Sequence, residues 1–334
     1  MLSNKKLKIE KEERQLIADT KKEFVKQTIA FMTQCNAELG NCFSYFIKPL
    51  AGGITDCIKL SNNKYYAIDS TPIFKKIINR DLTSALTIHL AQDIDTNQWV
   101  QLKAYEINND KQLEDKIKKE ISVLSQLGKL IGVADDSLFS RKLYIVKEYV
   151  PGVDLMHFIT NKKAISFAQK IAITLAIFDE LRELHDIKRF LHCDIKLENI
   201  IYDEFTGKVT LIDFDVSLPS ASDSNLMAKS NEFCGTFGYA APELISNTPC
   251  IYNEKTEMYA LGKTLIDLFD LEPASGFSQT FFAPNKPPVN EDESQVMAIL
   301  DGLTQAEPEK RLSREAGEKA FALLLQQVPE FAVK

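Results

Sequence analysis

The sequence predicts an α+β protein in which a small, sheet-rich lobe precedes a larger helical one, with a helical extension at the N-terminus. Three observations predict it. Short apolar runs with strand-like alternation gather before residue 150, and helical periodicity dominates after the Pro151-Gly152 pair. The chain has 334 residues, 45% hydrophobic and 26% charged, which suits two or three ordinary domains or one two-lobed body with an extension.

Taken in order, residues 5–39 place Ile17, Phe24 and Phe31, and Val25, Ile29 and Met32, at helical spacing, and Gly40 follows where a C-terminal cap belongs. One long amphipathic helix is expected there. From Phe43 to Ile68 the runs shorten, with turn signals at Gly52-Gly53 and Ser61-Asn62-Asn63, so a small hairpin is expected. Leu86 to Leu90 and Trp99 to Tyr105 alternate on either side of a turn at residues 93–97 and read as antiparallel strands. Residues 111–127 are helical in period, 143–149 return to strand, and the helical remainder is interrupted by short strands at 200–202 and 209–212. The expected division is an extension over 1–80, a small lobe over 81–150 and a large lobe over 151–334. There is no internal repeat and no low-complexity tract.

Composition excludes several classes. The longest apolar run, Ile171 to Phe178, is interrupted by Thr174, so no transmembrane helix is expected. The N-terminal lysines run into mixed charges rather than the apolar stretch of a secretory signal, and a cytoplasmic location is expected. Six cysteines form no CxxC pair and no metal-ligand spacing with the four histidines, which fits reduced thiols. Residues 1–80 hold 14 Lys and Arg against 8 Asp and Glu, and the remainder holds 26 against 39. That asymmetry argues against specific nucleic-acid binding but leaves room for an anion site in the basic part.

The segment richest in chemistry is His192-Cys193-Asp194-Ile195-Lys196-Leu197-Glu198-Asn199-Ile200-Ile201, followed by Leu211-Ile212-Asp213-Phe214-Asp215. Two acids, a lysine and an asparagine stand on loops beside short apolar strands. Phosphoryl transfer needs such a set: a carboxylate near the attacking hydroxyl, a cation for the moving charge, and hard oxygens for Mg2+. Asp194 can orient the hydroxyl and accept its proton, Lys196 can neutralise the phosphoryl group, and Asn199 and Asp213 can hold the metal.

These residues resemble the protein kinase superfamily, with HCDIKLENII in place of H-R-D-x-K-x-x-N and DFD in place of D-F-G. Gly235-Thr236-Phe237-Gly238-Tyr239-Ala240-Ala241-Pro242-Glu243 is similar to the close of the activation loop, and Glu257-Met258-Tyr259-Ala260-Leu261-Gly262 to the start of the next helix. Glu307 to Leu312 resembles the late motif whose arginine pairs with the Ala-Pro-Glu glutamate, so a buried structural Glu243–Arg311 pair is expected. The likeness covers about residues 80–330 and implies a bilobal kinase fold. It implies ATP and Mg2+, or Mn2+, as cofactors and a protein as substrate. Lys103 takes the place of the lysine on the α and β phosphates, and Glu120, 17 residues on, that of its helical partner. The further nucleotide contacts implied are the backbone of Glu148 and Val150, Asp154 at the ribose, and Ile88 and Ile201. Lys196 together with Thr236 matches the serine/threonine type, in which Thr236 bridges Asp194 and Lys196.

The chain also departs from the family. Aligning Ile88 and Ala91 to the second strand lays Asp81 to Leu86, with no glycine, over the phosphates. Gly52-Gly53 is a competing phosphate loop, but its following strand ends in Ile68-Asp69, an acid where lysine is required. Cys193 replaces the arginine that grips a phosphate on the activation loop, which argues against switching by phosphorylation there. Asp215 replaces a glycine, a position Asp tolerates where the backbone is left-handed, and Gln101 and Lys147 crowd the adenine pocket.

Two classes of function stay open: an active serine/threonine kinase and a pseudokinase serving as a scaffold, with a small-molecule kinase as a weaker third. Lys75, Lys76, Arg80, Lys111, Lys116, Lys118 and Lys119 suggest a basic site for a polyanionic activator. Lysine outnumbers arginine 33 to 7, a hint of an AT-rich genome and of a bacterial effector working in a host cytosol.

Overall fold

A computed structural model describes residues 54–60, 64–69, 72–79, 84–108, 110–136, 142–161, 165–221, 226–246, 249–271 and 287–327. The helix expected over 5–39, the Gly52-Gly53 turn and residues 80–83 lie outside the described residues. The chain divides into two compact units, Met1–Tyr149 and Val150–Lys334.

The first unit is built on an antiparallel sheet ordered β1 (Ile54–Lys59), β2 (Tyr65–Asp69), β4 (Ser84–Asp93), β5 (Trp99–Glu106), β7 (Lys142–Glu148), β6 (Leu130–Asp136), with β3 (Phe74–Asn79) also on β4. β2 pairs with the 91–93 end of β4 and β3 with its 84–88 end, so two short strands in tandem cover one edge of a long one. Pro72 falls in the gap between them. Without an N–H it cannot carry a ladder through, and pairing resumes at Ile73, whose amide donates to the Ile88 carbonyl at 2.8 Å. β1 to β3 thus belong to the same sheet as the strands that follow residue 80. Ile58, Tyr66, Ala91, Val100, Leu102, Tyr144 and Val146 form the core of one face.

Helix α1 (Lys111–Gln126) begins where Asp110 accepts from the Leu113 amide at 3.0 Å and ends before Gly128, which takes a left-handed φ of 71°. Leu113, Ile117, Val123 and Leu124 recur at helical spacing on its buried face, and Glu120 lies among them.

The second unit is mainly helical. Ser166 and Gln169 form a capping box for α3 (Phe167–Arg182), which follows the short α2 (Leu155–Thr160) and runs into a π-helical turn over Glu183–Ile187. After α4 (Pro242–Ser246) comes α5 (Glu254–Phe269), buried along most of its length, and then α6 (Glu291–Leu303) and α7 (Arg314–Gln327). Phe178 of α3, Phe269 of α5 and Phe321 of α7 bring their rings together in the core. Short strands carry the loops: β10 (Ile200–Asp203) between β11 (Lys208–Leu211) and β8 (Val153–Asp154), β9 (Phe190–Leu191) with β12 (Leu218–Pro219), and β13 (Met227–Ser230) with β14 (Cys250–Asn253). No described helix is long and apolar enough to cross a membrane.

Candidate active site

In the first unit, the register of the sheet sets Lys103 of β5 directly opposite Ile88 of β4 and Ile145 of β7, so the three share a face. Lys103 Nζ donates to Glu120 Oε1 at 2.8 Å, and Tyr105 Oη donates to Glu120 Oε2 at 2.7 Å. Lys103 and Glu120 are both 3% exposed, so the pair is shielded from water. Gln101 and Lys147 oppose each other two residues along, on the face that carries Lys103. Glu148 closes β7 opposite Val100.

In the second unit, Cys193 and Asp213 both take the left-handed region, at φ 68° and 64°. For residues with a Cβ this conformation is costly and persists only where neighbours impose it. The neighbours here are His192 and Glu257. His192 Nε2 donates to the Ile212 carbonyl at 2.9 Å while its Nδ1 accepts from the Asp194 amide at 3.3 Å, so one ring ties the Asp194 loop to the chain before Asp213. Phe214 packs its ring 5.0 Å from that of His192. Asp215 does not take a positive φ; the left-handed residue stands two positions earlier, at Asp213.

Glu257 of α5 accepts from the Cys193 amide at 2.7 Å through Oε1 and from His185 Nε2 at 2.5 Å through Oε2. Burial alone would raise its pKa, but the hydrogen bond and charge of His185, with His192 and the Cys193 amide, hold the carboxyl below the usual range.

Around Asp194 three side chains close a network. Lys196 Nζ donates to Asp194 Oδ2 at 2.8 Å and to Thr236 Oγ1 at 2.9 Å, and Thr236 Oγ1 donates to Asp194 Oδ1 at 2.6 Å. Asn199 Nδ2 donates to the Asp194 carbonyl at 2.8 Å and to its Oδ2 at 3.0 Å. The Asn199 nitrogen is thus committed to Asp194, and the Ile212 amide in turn donates to the Asn199 carbonyl at 3.0 Å. Gly235 makes the approach of Thr236 feasible: its φ is 122°, and a Cβ there would lie 2.5 Å from the Cys193 carbonyl oxygen.

The remaining residues singled out from sequence are placed as follows. Asp154 is the N-cap of α2, accepting from the His157 amide at 2.7 Å, and stands opposite Ile201 in the β8–β10 pair. Its carboxylate thus has a structural partner in addition to the ribose role the resemblance implied. Val150 opens the second unit. Lys103, Glu120, Ile88 and Glu148 belong to the first unit, and Asp194, Lys196, Asn199, Asp213, Asp154, Ile201 and Val150 to the second.

The expected Glu243–Arg311 pair is present: Arg311 Nη1 donates to Glu243 Oε1 at 2.8 Å and Nη2 to Oε2 at 3.2 Å. His185, Tyr252 and the grip of Glu257 on Cys193 had no part in the sequence argument. Their partners lie many residues away, and a single polar residue in an apolar stretch has no local signature.

A group able to hold Mg2+ fits these residues. The amide oxygen of Asn199 and the carboxylate of Asp213 are hard donors, and no cluster of three or more His, Cys, Asp or Glu among the described residues forms a cage of its own. Mg2+ shared with phosphates is commonly held by so few protein ligands.

A family model described as the protein kinase domain matches residues 85–321, more than half of the chain. The chain is 27% identical over 228 residues to mitogen-activated protein kinase kinase 2 of Arabidopsis thaliana, covering 67% of this chain and 58% of that protein. It is 26% identical over 244 residues to mitogen-activated protein kinase kinase SIPKK of Nicotiana tabacum, covering 68% and 66%. It is 30% identical over 225 residues to human serine/threonine-protein kinase Nek5, covering 62% and 30%. The chain thus spans less than two thirds of the length of each of these relatives. With the α+β fold, the buried lysine–glutamate pair and the Asp194 network already in place, the match leaves one assignment: the chain belongs to the protein kinase domain family.

Proposed function

We propose that the protein is a serine/threonine protein kinase that transfers the γ phosphate of ATP to a Ser or Thr hydroxyl. The observation that carries this reading is the Thr236 hydroxyl bonded to both Asp194 and Lys196, while Asn199 pins Asp194 from the other side. These contacts support roles for Asp194 as acceptor base, Lys196 as neutralising cation and Asn199 as a metal-holding amide, because groups held in place leave less reorganisation to the reaction.

In this mechanism Asp194 orients the acceptor hydroxyl and takes its proton as the oxygen bonds to phosphorus. The bond to the β phosphate breaks, and ADP leaves with its electron pair. Lys196 offsets the negative charge of the moving group, and Lys103, held by Glu120, takes the α and β phosphates. Asn199 Oδ1 and the Asp213 carboxylate would hold Mg2+, which supplies charge neutralisation between the phosphates when bound. The names of the relatives support the serine/threonine type.

A second reading, a pseudokinase scaffold, is favoured by the sequence that precedes Thr87. The sequence Asp81 to Leu86, which the resemblance lays over the phosphates, holds no glycine, the residue type that lets backbone N–H groups approach phosphates. A polyanionic activator belongs to the first reading: Lys75, Lys111, Lys116, Lys118 and Lys119 are exposed, although Lys118 also faces Glu114 and Asp115. A bacterial effector acting in a host cytosol rests on the lysine excess alone. Incubation with labelled ATP and Mg2+ or Mn2+ tests the proposal. Label transferred by wild type and lost in Asp194→Ala and Asp213→Ala supports the enzyme, and equal background in all three supports the scaffold.

A further inference from the structure

We propose that Tyr252 is a positioning residue for phosphotransfer, its hydroxyl acting as a clasp that fixes the chain before Thr236 and so completes the Asp194 network. The inference rests on the kinase reading above. The Cys234 amide donates to the Tyr252 hydroxyl at 2.6 Å, and the hydroxyl donates back to the Cys234 carbonyl at 2.9 Å. One side-chain atom therefore satisfies both backbone groups of a residue beyond the end of a ladder. β13 and β14 pair from Met227↔Asn253 to Ser230↔Cys250, and the clasp extends that attachment to residue 234.

The Tyr252 ring is 1% exposed and packs in a cluster with Leu191, Leu218, Ala241 and Leu244, so the hydroxyl is held in place from below. Cys234 stands two residues before Thr236, and Gly235 between them lies against the Cys193 carbonyl with no room for a side chain. Five residues after Tyr252 on the same continuous stretch, Glu257 grips the Cys193 amide. The stretch 252–257 thus holds the neighbour of Asp194 with one end and the approach to Thr236 with the other. Cys193 stands where an arginine would reach a phosphate, and the clasp supplies order from within the chain instead. Burial raises the pKa of the Tyr252 phenol, so it stays a donor as well as an acceptor across working pH.

Tyr252→Phe keeps the ring and removes both bonds. The expected result is a fall in kcat of about tenfold, the scale of one or two lost hydrogen bonds, with KM for ATP changed by less than about twofold. Amide hydrogen exchange in a peptide spanning residues 231–239 is expected to quicken. In a Thr236→Ala background the same change is expected to cost less than about twofold more, because the two act in series. Losses that multiply, an unchanged kcat, or a fall that only follows the folded fraction measured by circular dichroism would overturn the proposal. A wild type that transfers no label refutes the kinase reading instead. The exchange comparison then decides the clasp, and equal exchange in both proteins overturns it.

Discussion

Replacing Arg311 by Met tests whether the Glu243–Arg311 pair is structural. The guanidinium is 2% exposed, and all five of its N–H groups have acceptors. Two go to Glu243, at 2.8 and 3.2 Å, and the others to the carbonyls of Gln305 at 2.9 Å, Lys255 at 2.7 Å and Ala306 at 3.3 Å. The guanidinium also lies 5.0 Å from the centre of the Tyr259 ring. Methionine fills most of the volume but leaves a carboxylate and three carbonyls without their donor. Breaking a buried pair from one side costs about 3–5 kcal/mol. Glu243 is 23% exposed, so water recovers part of its solvation, and the lost ring contact returns about 1 kcal/mol to the cost. A value of about 4 kcal/mol follows. In a unit of this size it lowers the calorimetric midpoint by roughly 8–16 °C. Arg311→Lys keeps the charge but not the planar fork and is expected to recover less than half of the loss. A shift below about 2 °C for Arg311→Met, or full recovery by lysine, would refute the structural role.

Other outcomes are expected on the same grounds. Glu120→Ala leaves the Lys103 ammonium buried and is expected to destabilise the first unit by about 3–5 kcal/mol in urea unfolding followed through Trp99, while Tyr105→Phe costs only about 1 kcal/mol. The Glu257 carboxyl has a folded pKa below its unfolded value, so its contribution is complete above the unfolded pKa and is lost as pH falls through the folded one. Glu257→Gln should therefore flatten the acid limb of a stability profile measured between pH 7 and 3, about the range of carboxylate titration. Gly152 has a φ of 116°, and a Cβ there would lie 2.4 Å from the Tyr202 carbonyl oxygen. Gly152→Ala is expected to lower the melting midpoint by more than the 1 kcal/mol typical of an ordinary glycine change, about 2–4 °C or more. Protein treated with a phosphatase is expected to retain its transfer rate, because Cys193 offers no cation for a loop phosphate; a large loss on treatment contradicts this.

Regular spacing made much of this protein legible from its residues. The 17-residue step from Lys103 to Glu120 and the order of Asp194, Lys196, Asn199, Asp213 and Thr236 can be read directly, because each motif is local and its chemistry demands particular side chains. Helix α1 and strands β10 and β11 were also readable within one or two residues, since apolar periodicity over several residues reports burial on one face. The two-residue strands β8, β9 and β12 are too short to have a period, and β6, β13 and β14 lack clear alternation; all exist because a partner strand is present. The sheet crosses residue 80 because β4 offers a long edge and Pro72 divides what covers it, a fact of pairing rather than of composition. Tertiary structure alone decided that Asp213, not Asp215, bears the left-handed backbone, and that Glu257, His185 and Tyr252 find partners more than fifteen residues away. Local sequence sets which groups are available; long-range burial sets which of them must find each other, because a polar group removed from water has to be paired wherever its partner lies.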